Sequence, residues 1–416
     1  MSLEQLGADR FYEMDRLRSI AFTSALETVR PDIDLEAANQ QELLRGRERW
    51  GMIDEQTGRL MGRMLLSDYQ TRVGGRWLKL VGISSVATLP EYRRMGVMRE
   101  AFRGVLPRMY RRGAALSGLY PFSHAFYRKF GYEAFGGQND VSVGLEQLRA
   151  FPRPDAVRMI DSDADMLAAR AIYERFAQTR DLAMRRELDY QWKREVMSGD
   201  PYKDLTYKYL MLRKTASGEL EPCAYISFKP ENRSPNTRIA SAREAAYLDG
   251  DAFRRLLGFM STFYPHYERL NMALPGDVRL GAICQDCYDV EDSIKHGYML
   301  RAINAKLLLE CQPVSPIMRL AAQAGPLSMS IALADEFIPQ NTGRYELTLT
   351  PDGLECVQGR YASADIEADI PSFTQLVTGS LSLGQAGYRA GLRINVVSPL
   401  AQALFAGRDQ YIGDHY

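Results

Sequence analysis

One stretch constrains this chain more than any other: a β-branched run, a proline, two arginines, a glycine and then a helical pattern, over residues 81–98. Pro90 has no N–H group, so it ends the strand pairing. Arg93, Arg94 and Gly96 lie in the turn directly before the helix. The free N–H groups and dipole of a helix start, beside two guanidinium groups, favour a doubly charged phosphate group. The stretch therefore predicts a site for a pyrophosphate-bearing cofactor.

The composition excludes several other classes of protein. The chain has 416 residues, 46% of them hydrophobic and 25% charged, which is typical of a soluble protein with more than one core. Its 52 basic residues balance 52 acidic ones, so we expect neither a nucleic-acid partner nor a membrane partner. Five cysteines do not suggest a disulfide framework, and no signal peptide is visible at the N-terminus. These features favour a cytoplasmic location.

The periodicity predicts three domains, at residues 1–150, 151–305 and 306–416. The first reads as an α/β unit with these predicted elements: helices at 11–26, 35–50 and 98–113, strands at 50–54, 59–71, 76–88 and 114–119, and a short helix at 123–130. We expect a kink at Pro107, inside the third helix.

The second predicted domain, 151–305, repeats the order of helices, hairpin, strand and helix. Its helices are predicted at 161–179, 183–198 and 249–264. Its strand-to-helix junction, 247–251, is acidic and lacks an arginine pair, so we expect no cofactor there. The third domain, 306–416, alternates as a small α+β domain.

Residues 86–99, Val-Ala-Thr-Leu-Pro-Glu-Tyr-Arg-Arg-Met-Gly-Val-Met-Arg, resemble the acyl-CoA-binding motif of the GNAT N-acetyltransferase superfamily. Residues 123–132 resemble its later helix, which reads Phe-Tyr-x-x-x-Gly-Phe/Tyr. The whole chain is similar to the Eis-type acetyltransferases. The resemblance implies two GNAT-like mixed-sheet domains of the α/β class, followed by an α+β domain like sterol carrier protein type 2. It also implies acetyl-CoA as co-substrate, an amine as acceptor and a homo-oligomer, with a hexamer among the forms it allows.

The resemblance also implies the residues that hold acetyl-CoA. The cofactor strand of such folds splays from its neighbour, here at residues 86–88 opposite 114–119, and frees backbone amides. A side chain at Gly96 would obstruct close backbone approach. The implied cofactor-binding residues are Val86, Ala87, Thr88, Arg93, Arg94, Gly96, Val97, Met98 and Ser123.

Two catalytic residues follow from the same resemblance. Tyr127 stands where the family places a tyrosine facing the thiolate, and a phenol with a pKa of about 10 suits a general acid. An aromatic core position is the alternative for Tyr127. Residues 79–88 contain no Asp or Glu, so the base must come from elsewhere. The resemblance implies the terminal carboxylate of Tyr416, against the alternative of a frayed terminus. The penultimate residue is His415, at a position where an acidic residue would help to bind a polycationic substrate. This difference weakens any inference of an aminoglycoside acceptor.

Other readings of the chain concern a ligand and a metal. A non-catalytic protein could bind a lipid in its C-terminal domain, lined by the apolar runs 307–309, 376–377 and 400–405. Cys284 and Cys287 form a lone C-x-x-C pair, for which free thiols are expected and no metal. The amine acceptor stays open among aminoglycosides, polyamines, peptide N-termini and lysine side chains.

Overall fold

The computed structural model describes residues 1–23, 43, 46–135, 138–186, 192, 198–234 and 237–414. Among them, residues 1–135 and 297–407 form one compact unit, and residues 138–296 and 408–414 form another. None of the described helices is long and apolar enough to cross a membrane.

The strands in chain order are β1 (Ser2–Gln5), β2 (Arg47–Ile53), β3 (Leu60–Val73), β4 (Arg76–Thr88), β5 (Leu116–Leu119), β6 (Glu133–Ala134), β7 (Gln138–Gly144), β8 (Ala156–Met159), β9 (Met184–Arg185), β10 (Tyr207–Lys214), β11 (Leu220–Ser234), β12 (Thr237–Tyr247), β13 (Arg269–Pro275), β14 (Val290–Lys295), β15 (Met299–Ala302), β16 (Leu327–Ala334), β17 (Gly343–Thr350), β18 (Gly353–Gly359), β19 (Ile366–Asp369) and β20 (Leu392–Ile394). The described helices are α1 (Phe11–Phe22), α2 (Val97–Arg111), α3 (His124–Arg128), α4 (Asp163–Ala177), α5 (Gly250–Met260), α6 (Ala305–Glu310), α7 (Pro316–Gln323), α8 (Ile370–Val377), α9 (Leu383–Ala386) and α10 (Pro399–Leu404).

The first unit contains a mixed sheet in the order β1-β2-β3-β4-β5-β15-β6. Strands β4 and β5 pair in parallel, from Leu80 opposite Leu116 to Ile83 opposite Leu119. Helix α2 covers this sheet with the apolar face that its spacing predicts, and Phe102 is fully buried there. The helix runs through Pro107 to Arg111 as one element.

The helix predicted over 35–50 is wrong at its C-terminal end. Residues 47–50 begin strand β2, which pairs antiparallel with β3. The segment forms a strand, in which Trp50 and Met52 are buried. The prediction is wrong because helical and strand spacing are hard to distinguish in a short apolar run. Residues 35–42 of that prediction lie outside the described residues.

The second unit has its own sheet, in the order β14-β7-β13-β12-β11-β10-β8. Here β10, β11 and β12 are antiparallel neighbours, and β12 pairs in parallel with β13. The first unit has the same pattern in β2 to β5, so the predicted repeat of the topology is confirmed. Of the helix predicted over 183–198, residues 184–185 form strand β9 instead, and most of the rest lies outside the described residues.

A third sheet, in the order β18-β17-β16-β19-β20, completes the first unit. Two strands belong to a different sheet from the one that the predicted boundaries at 150 and 305 imply. Strand β7 precedes residue 150 but belongs to the second sheet. Strand β15 precedes residue 305 but belongs to the first sheet. The apolar runs considered above as a lipid tunnel include Leu308, Leu376 and Phe405. All three side chains are completely buried, as residues of a packed core are.

Candidate functional site

Strand β4 separates from β5 halfway along its length. Its last partner on β5 is at Ile83, so residues 84–88 continue without a β5 neighbour. On the other side, the register with β3 shifts between Arg63 and Leu65, which marks a β-bulge. Ser85 lies opposite this bulge with a left-handed φ of 52°. The splay predicted at residues 86–88 is therefore present, and it leaves backbone groups of β4 free for a ligand.

The turn after β4 leads into α2 with unusual backbone angles. Arg94 has φ 65°, and Gly96, the residue that precedes the helix, has φ 82°. The first helical bond runs from the amide of Glu100 to the carbonyl of Gly96, at 3.1 Å. The amides of Val97 and Met98 precede that bond, so no helical acceptor is available to them. No side chain caps the helix start, which points these donors and the helix dipole at the loop.

Cationic side chains surround this helix start. Arg93 and Arg94 are exposed, and the Arg93 Nε donates to the carbonyl of Thr88 at 3.4 Å. Lys129, also exposed, lines the cleft that opens at this helix start. Together these groups give the helix start a positive potential suited to phosphate.

A cleft of about 700 Å³ opens at this point. Eight of the predicted cofactor-binding residues line it: Val86, Ala87, Thr88, Arg93, Arg94, Gly96, Val97 and Met98. The other walls come from Ala21, Phe22, Tyr92, Arg99, Phe122, Phe126, Lys129 and Phe130. The geometry thus brings most of the predicted cofactor residues together in one cleft.

Ser123, the ninth predicted cofactor residue, has a structural contact of its own. It is the N-cap of α3, and its hydroxyl accepts from the amide of Phe126 at 3.4 Å. It is not among the residues that line the cleft.

Tyr127 lies in the hydrophobic core next to the cleft wall. Its side chain is 3% exposed, with ring contacts to Phe102, Phe122 and Phe126 at centroid distances of 6.3, 5.4 and 5.0 Å. Burial raises the pKa of the Tyr127 phenol well above its usual range, and the neighbouring Tyr132 adds to the shift. Among the described residues, its hydroxyl has no hydrogen-bond partner. Tyr416, the predicted base, lies outside the described residues.

Sequence reasoning missed the contribution of α1 to the cleft. Ala21 and Phe22, at the end of that helix, lie about 55 residues before the start of β4 in the chain. Phe22 is 52% exposed and Phe122 is 69% exposed. The sequence signal available for Phe22 is a large apolar residue at the end of a predicted helix. That signal does not indicate which cleft the side chain lines.

The second unit has a different arrangement at the equivalent junction. Asp249 caps helix α5 by accepting from the amide of Ala252 at 2.9 Å, and it pairs with Arg213 at 2.7 Å. An aspartate therefore occupies the helix start that would otherwise face a phosphate. A polar groove of about 680 Å³ lies beside β12 and β13, with both acidic and basic residues along it.

The C-terminal segment of the second unit is held by a buried ionic cluster. Arg186 donates to Asp414 at 2.8 Å and to both oxygens of Glu244 at 2.8 and 2.6 Å. Tyr173 donates to Asp414 at 3.3 Å, and the Tyr225 hydroxyl donates to Glu244. One buried guanidinium is thus shared by two buried carboxylates, and a phenol donates to each carboxylate as well.

All five cysteines are free thiols, and Cys287 is exposed. Across the described part of the chain, no group of three or more His, Cys, Asp or Glu side chains is placed to hold a metal ion.

Comparison with known proteins identifies two domains. Residues 5–135 match the family model of the acetyltransferase (GNAT) domain, and residues 318–413 match that of the sterol carrier protein domain. No curated protein matches the chain.

Several solved structures share the fold over almost the entire chain. A probable N-acyltransferase from Enterococcus faecalis is 21% identical with a TM-score of 0.77, covering 99% of this chain and 97% of its own. A GCN5-related N-acetyltransferase from Anabaena variabilis is 18% identical, with a TM-score of 0.79 and full coverage of both chains. Eis1 from Mycobacterium abscessus is 19% identical, with a TM-score of 0.77 and full coverage of both chains. The predicted fold class, with GNAT folds and a sterol-carrier-like C-terminal domain, is confirmed.

Proposed function

We propose that this chain, a GNAT-family acetyltransferase by its residues 5–135, transfers the acetyl group of acetyl-CoA directly to an amine. The observation that carries the proposal is the cleft at the splay of β4. It joins free strand amides, an uncapped helix start and two exposed arginines in one place. Acetyl-CoA supplies the complementary groups, a thioester on an extended arm and a pyrophosphate.

The residues of the cleft fit such a molecule. The amides at the start of α2, with the Arg93 and Arg94 side chains, would hold the pyrophosphate. Residues 86–88 of β4, which have no partner on the β5 side, would bind the extended arm by backbone hydrogen bonds and polarise the thioester carbonyl. Gly96 suits the turn before α2, because residues with a side chain rarely adopt its left-handed backbone conformation.

Two proton transfers complete the reaction. As the amine nitrogen bonds to the carbonyl carbon and the carbon–sulfur bond breaks, the nitrogen loses a proton and the sulfur gains one. We assign the donor to the Tyr127 phenol. Its raised pKa keeps it protonated, so its first role is hydrogen-bond donation to the departing sulfur. We assign the base to the Tyr416 carboxylate, because β4 offers no carboxylate between Lys79 and Thr88.

Direct transfer is favoured over a covalent acetyl-enzyme. Among the described residues, those that line the cleft include no cysteine and no serine. A direct mechanism needs both substrates bound together, so initial-rate plots should intersect, whereas a covalent intermediate gives parallel lines.

The exposed aromatic rings at the cleft favour a cationic acceptor. Phe22 and Phe122 are exposed at the cleft, and aromatic rings attract ammonium groups. This supports polyamines and lysine side chains as first candidates.

A panel assay tests the proposed function. Purified protein is mixed with acetyl-CoA and each amine class, and released thiol is detected, with calorimetry of acetyl-CoA binding in parallel. We expect binding in the micromolar to low-millimolar range and thiol release with at least one cationic amine. A folded protein that does not bind acetyl-CoA would overturn the proposal.

We further propose a cytoplasmic homo-oligomer, on the resemblance to Eis-type acetyltransferases. Light scattering coupled to gel filtration measures the assembly, and a single-chain mass at micromolar concentration would contradict it.

A further inference from the structure

We propose that the sterol carrier protein domain positions helix α3 in the active site, through a set of contacts we call the α3 clamp: Glu133 with Arg389, and Arg301 with Asp335. The effect on catalysis rests on the proposed function. The clamp itself rests on contacts within the first unit.

Glu133 joins α3 to the sterol carrier protein domain. Its carboxylate is 2% exposed and accepts from Arg128, the last residue of α3, at 2.7 and 3.0 Å. Its other oxygen accepts from Arg389 at 2.8 Å. Arg389 lies within the sterol carrier match, three residues before the start of β20. One buried carboxylate therefore holds α3 and the C-terminal domain together.

Arg301 makes a second connection, to the backbone just after α3. It is completely buried, and its Nε donates to the carbonyl of Phe130 at 2.7 Å. Its Nη2 donates to Asp335 at 2.7 Å. Asp335 is itself fixed by the amides of Phe337 and Ile338, at 3.0 and 3.1 Å. The backbone that follows α3 is thus hydrogen-bonded through Arg301 to the loop that follows β16 in the C-terminal domain.

Apolar contacts also join the segment after α3 to the C-terminal domain. Phe130 stacks on Phe102 of α2 at 4.1 Å and meets Phe337 of the C-terminal domain edge-on at 5.9 Å. Gln375, on α8, donates to the carbonyl of Ala134 at 2.9 Å. Polar and apolar contacts from one domain therefore converge on residues 128–134.

Helix α3 needs such support because it has only five residues. A helix of that length is not stable alone, and its position depends on tertiary contacts. The segment it begins carries the cleft residues Phe126, Lys129 and Phe130, and it also holds Tyr127. Displacement by about 1 Å at a catalytic group can cost up to about a hundredfold in rate. The clamp residues are therefore positioning residues that act through Tyr127 and the cleft wall.

Replacement of Arg389 by alanine tests the clamp in the full-length protein. Its side chain is 25% exposed, and Glu133 keeps its partner Arg128, so the fold should survive. The matched control is Arg344→Ala, which removes an arginine that pairs with Glu346 at 2.8 Å on the same domain. Arg389→Lys retains the cation and should recover part of any loss. Hydrogen exchange of peptides covering 124–134, kcat and acetyl-CoA affinity are measured on all three variants.

We expect Arg389→Ala to speed exchange at 124–134 and to lower kcat about tenfold, with acetyl-CoA affinity within twofold of the parent. Arg344→Ala should match the parent in hydrogen exchange at 124–134, in kcat and in acetyl-CoA affinity. Unchanged exchange at 124–134 in Arg389→Ala would overturn the clamp, and so would faster exchange with unchanged kcat. If the parent transfers no acetyl group, the proposed function fails, and the exchange measurement still decides whether Arg389 holds α3.

Discussion

Arg186 and Asp414 form an ion pair at 2.8 Å in which both side chains are at least 93% buried. The same arginine binds both oxygens of Glu244, and the Asp414 carboxylate also accepts from Tyr173. Three residues before Asp414, the amide of Tyr411 donates to the carbonyl of Asp181 at 2.9 Å. Contacts at Tyr411 and Asp414 therefore hold this C-terminal segment within the second unit.

Replacement of Asp414 by alanine should loosen this segment. Arg186 would keep Glu244 but lose one of its two anionic partners while still buried, so we expect a loss of about 2–3 kcal/mol in the free energy of unfolding. The matched control is Asp409→Ala, in the same segment, where the carboxylate is 60% exposed and 3.8 Å from Arg180. Denaturant melts measure both variants, and equal stability losses would contradict a special role for the buried pair.

Extension of the chain beyond Tyr416 tests the proposed base. Adding two residues moves the terminal carboxylate by up to about 7 Å, so kcat should fall at least tenfold if that group accepts the proton. Acetyl-CoA affinity should stay within twofold, because no residue of the cofactor cleft changes. Two residues added before Met1 make the control. An extended chain with parental kcat would assign the base elsewhere.

The arginines of the turn should dominate cofactor affinity. Loss of a charge-assisted hydrogen bond costs about 1.5–3 kcal/mol, so Arg93→Ala and Arg94→Ala should each weaken acetyl-CoA binding about tenfold or more. The effect should shrink as salt rises, since phosphate contacts are screened. Arg111→Ala, an exposed arginine at the other end of α2, is the control. Calorimetry at two salt concentrations checks the prediction, and equal losses in all three variants would contradict it.

Gly96→Ala separates backbone strain from ligand contact. Gly96 and Gly218 share left-handed φ angles of 82° and 87°, and a Cβ at either position meets no atom within 4 Å. Both alanine variants should therefore lose a similar stability, about 1–2 kcal/mol. Only Gly96→Ala should weaken acetyl-CoA binding, because only Gly96 lies at the cleft. Thermal melts and calorimetry on the pair measure the two effects, and similar affinity losses in both would refute a role for Gly96 in binding.

The strand-turn-helix of residues 81–98 could be predicted from sequence because its determinants are local. Pro90 ends the pairing, Gly96 takes the left-handed angle, and the apolar spacing of α2 fixes its buried face. The eight predicted cofactor residues that line the cleft lie in the same stretch, and the resemblance of that stretch to the GNAT motif implies them.

Contacts between distant segments could not be predicted in the same way. Strand β15 joins the first sheet between β5 and β6 after the whole second unit has intervened. Nothing local to Arg301 indicates that it will bind the carbonyl of Phe130, 171 residues earlier. Phe22 likewise lines the cleft only because α1 packs near β4. Such pairings depend on tertiary packing, which periodicity does not encode.

Tyr127 and Tyr132 form a matched pair for testing the proposed acid. Both phenols are buried and their pKa values are raised by burial, but only the Tyr132 hydroxyl has a described partner, Ser117 at 2.7 Å. Tyr132→Phe should cost about 1 kcal/mol of stability through that lost hydrogen bond and change kcat little. Tyr127→Phe should leave stability almost unchanged and lower kcat about a hundredfold or more, the lower end of the range for a lost proton donor. Because the raised pKa keeps Tyr127 protonated, the ratio of parental to mutant kcat should be the same at pH 7 and pH 9. A ratio that falls towards one at pH 9 would show a donor that ionises in this range, and would exclude the buried phenol.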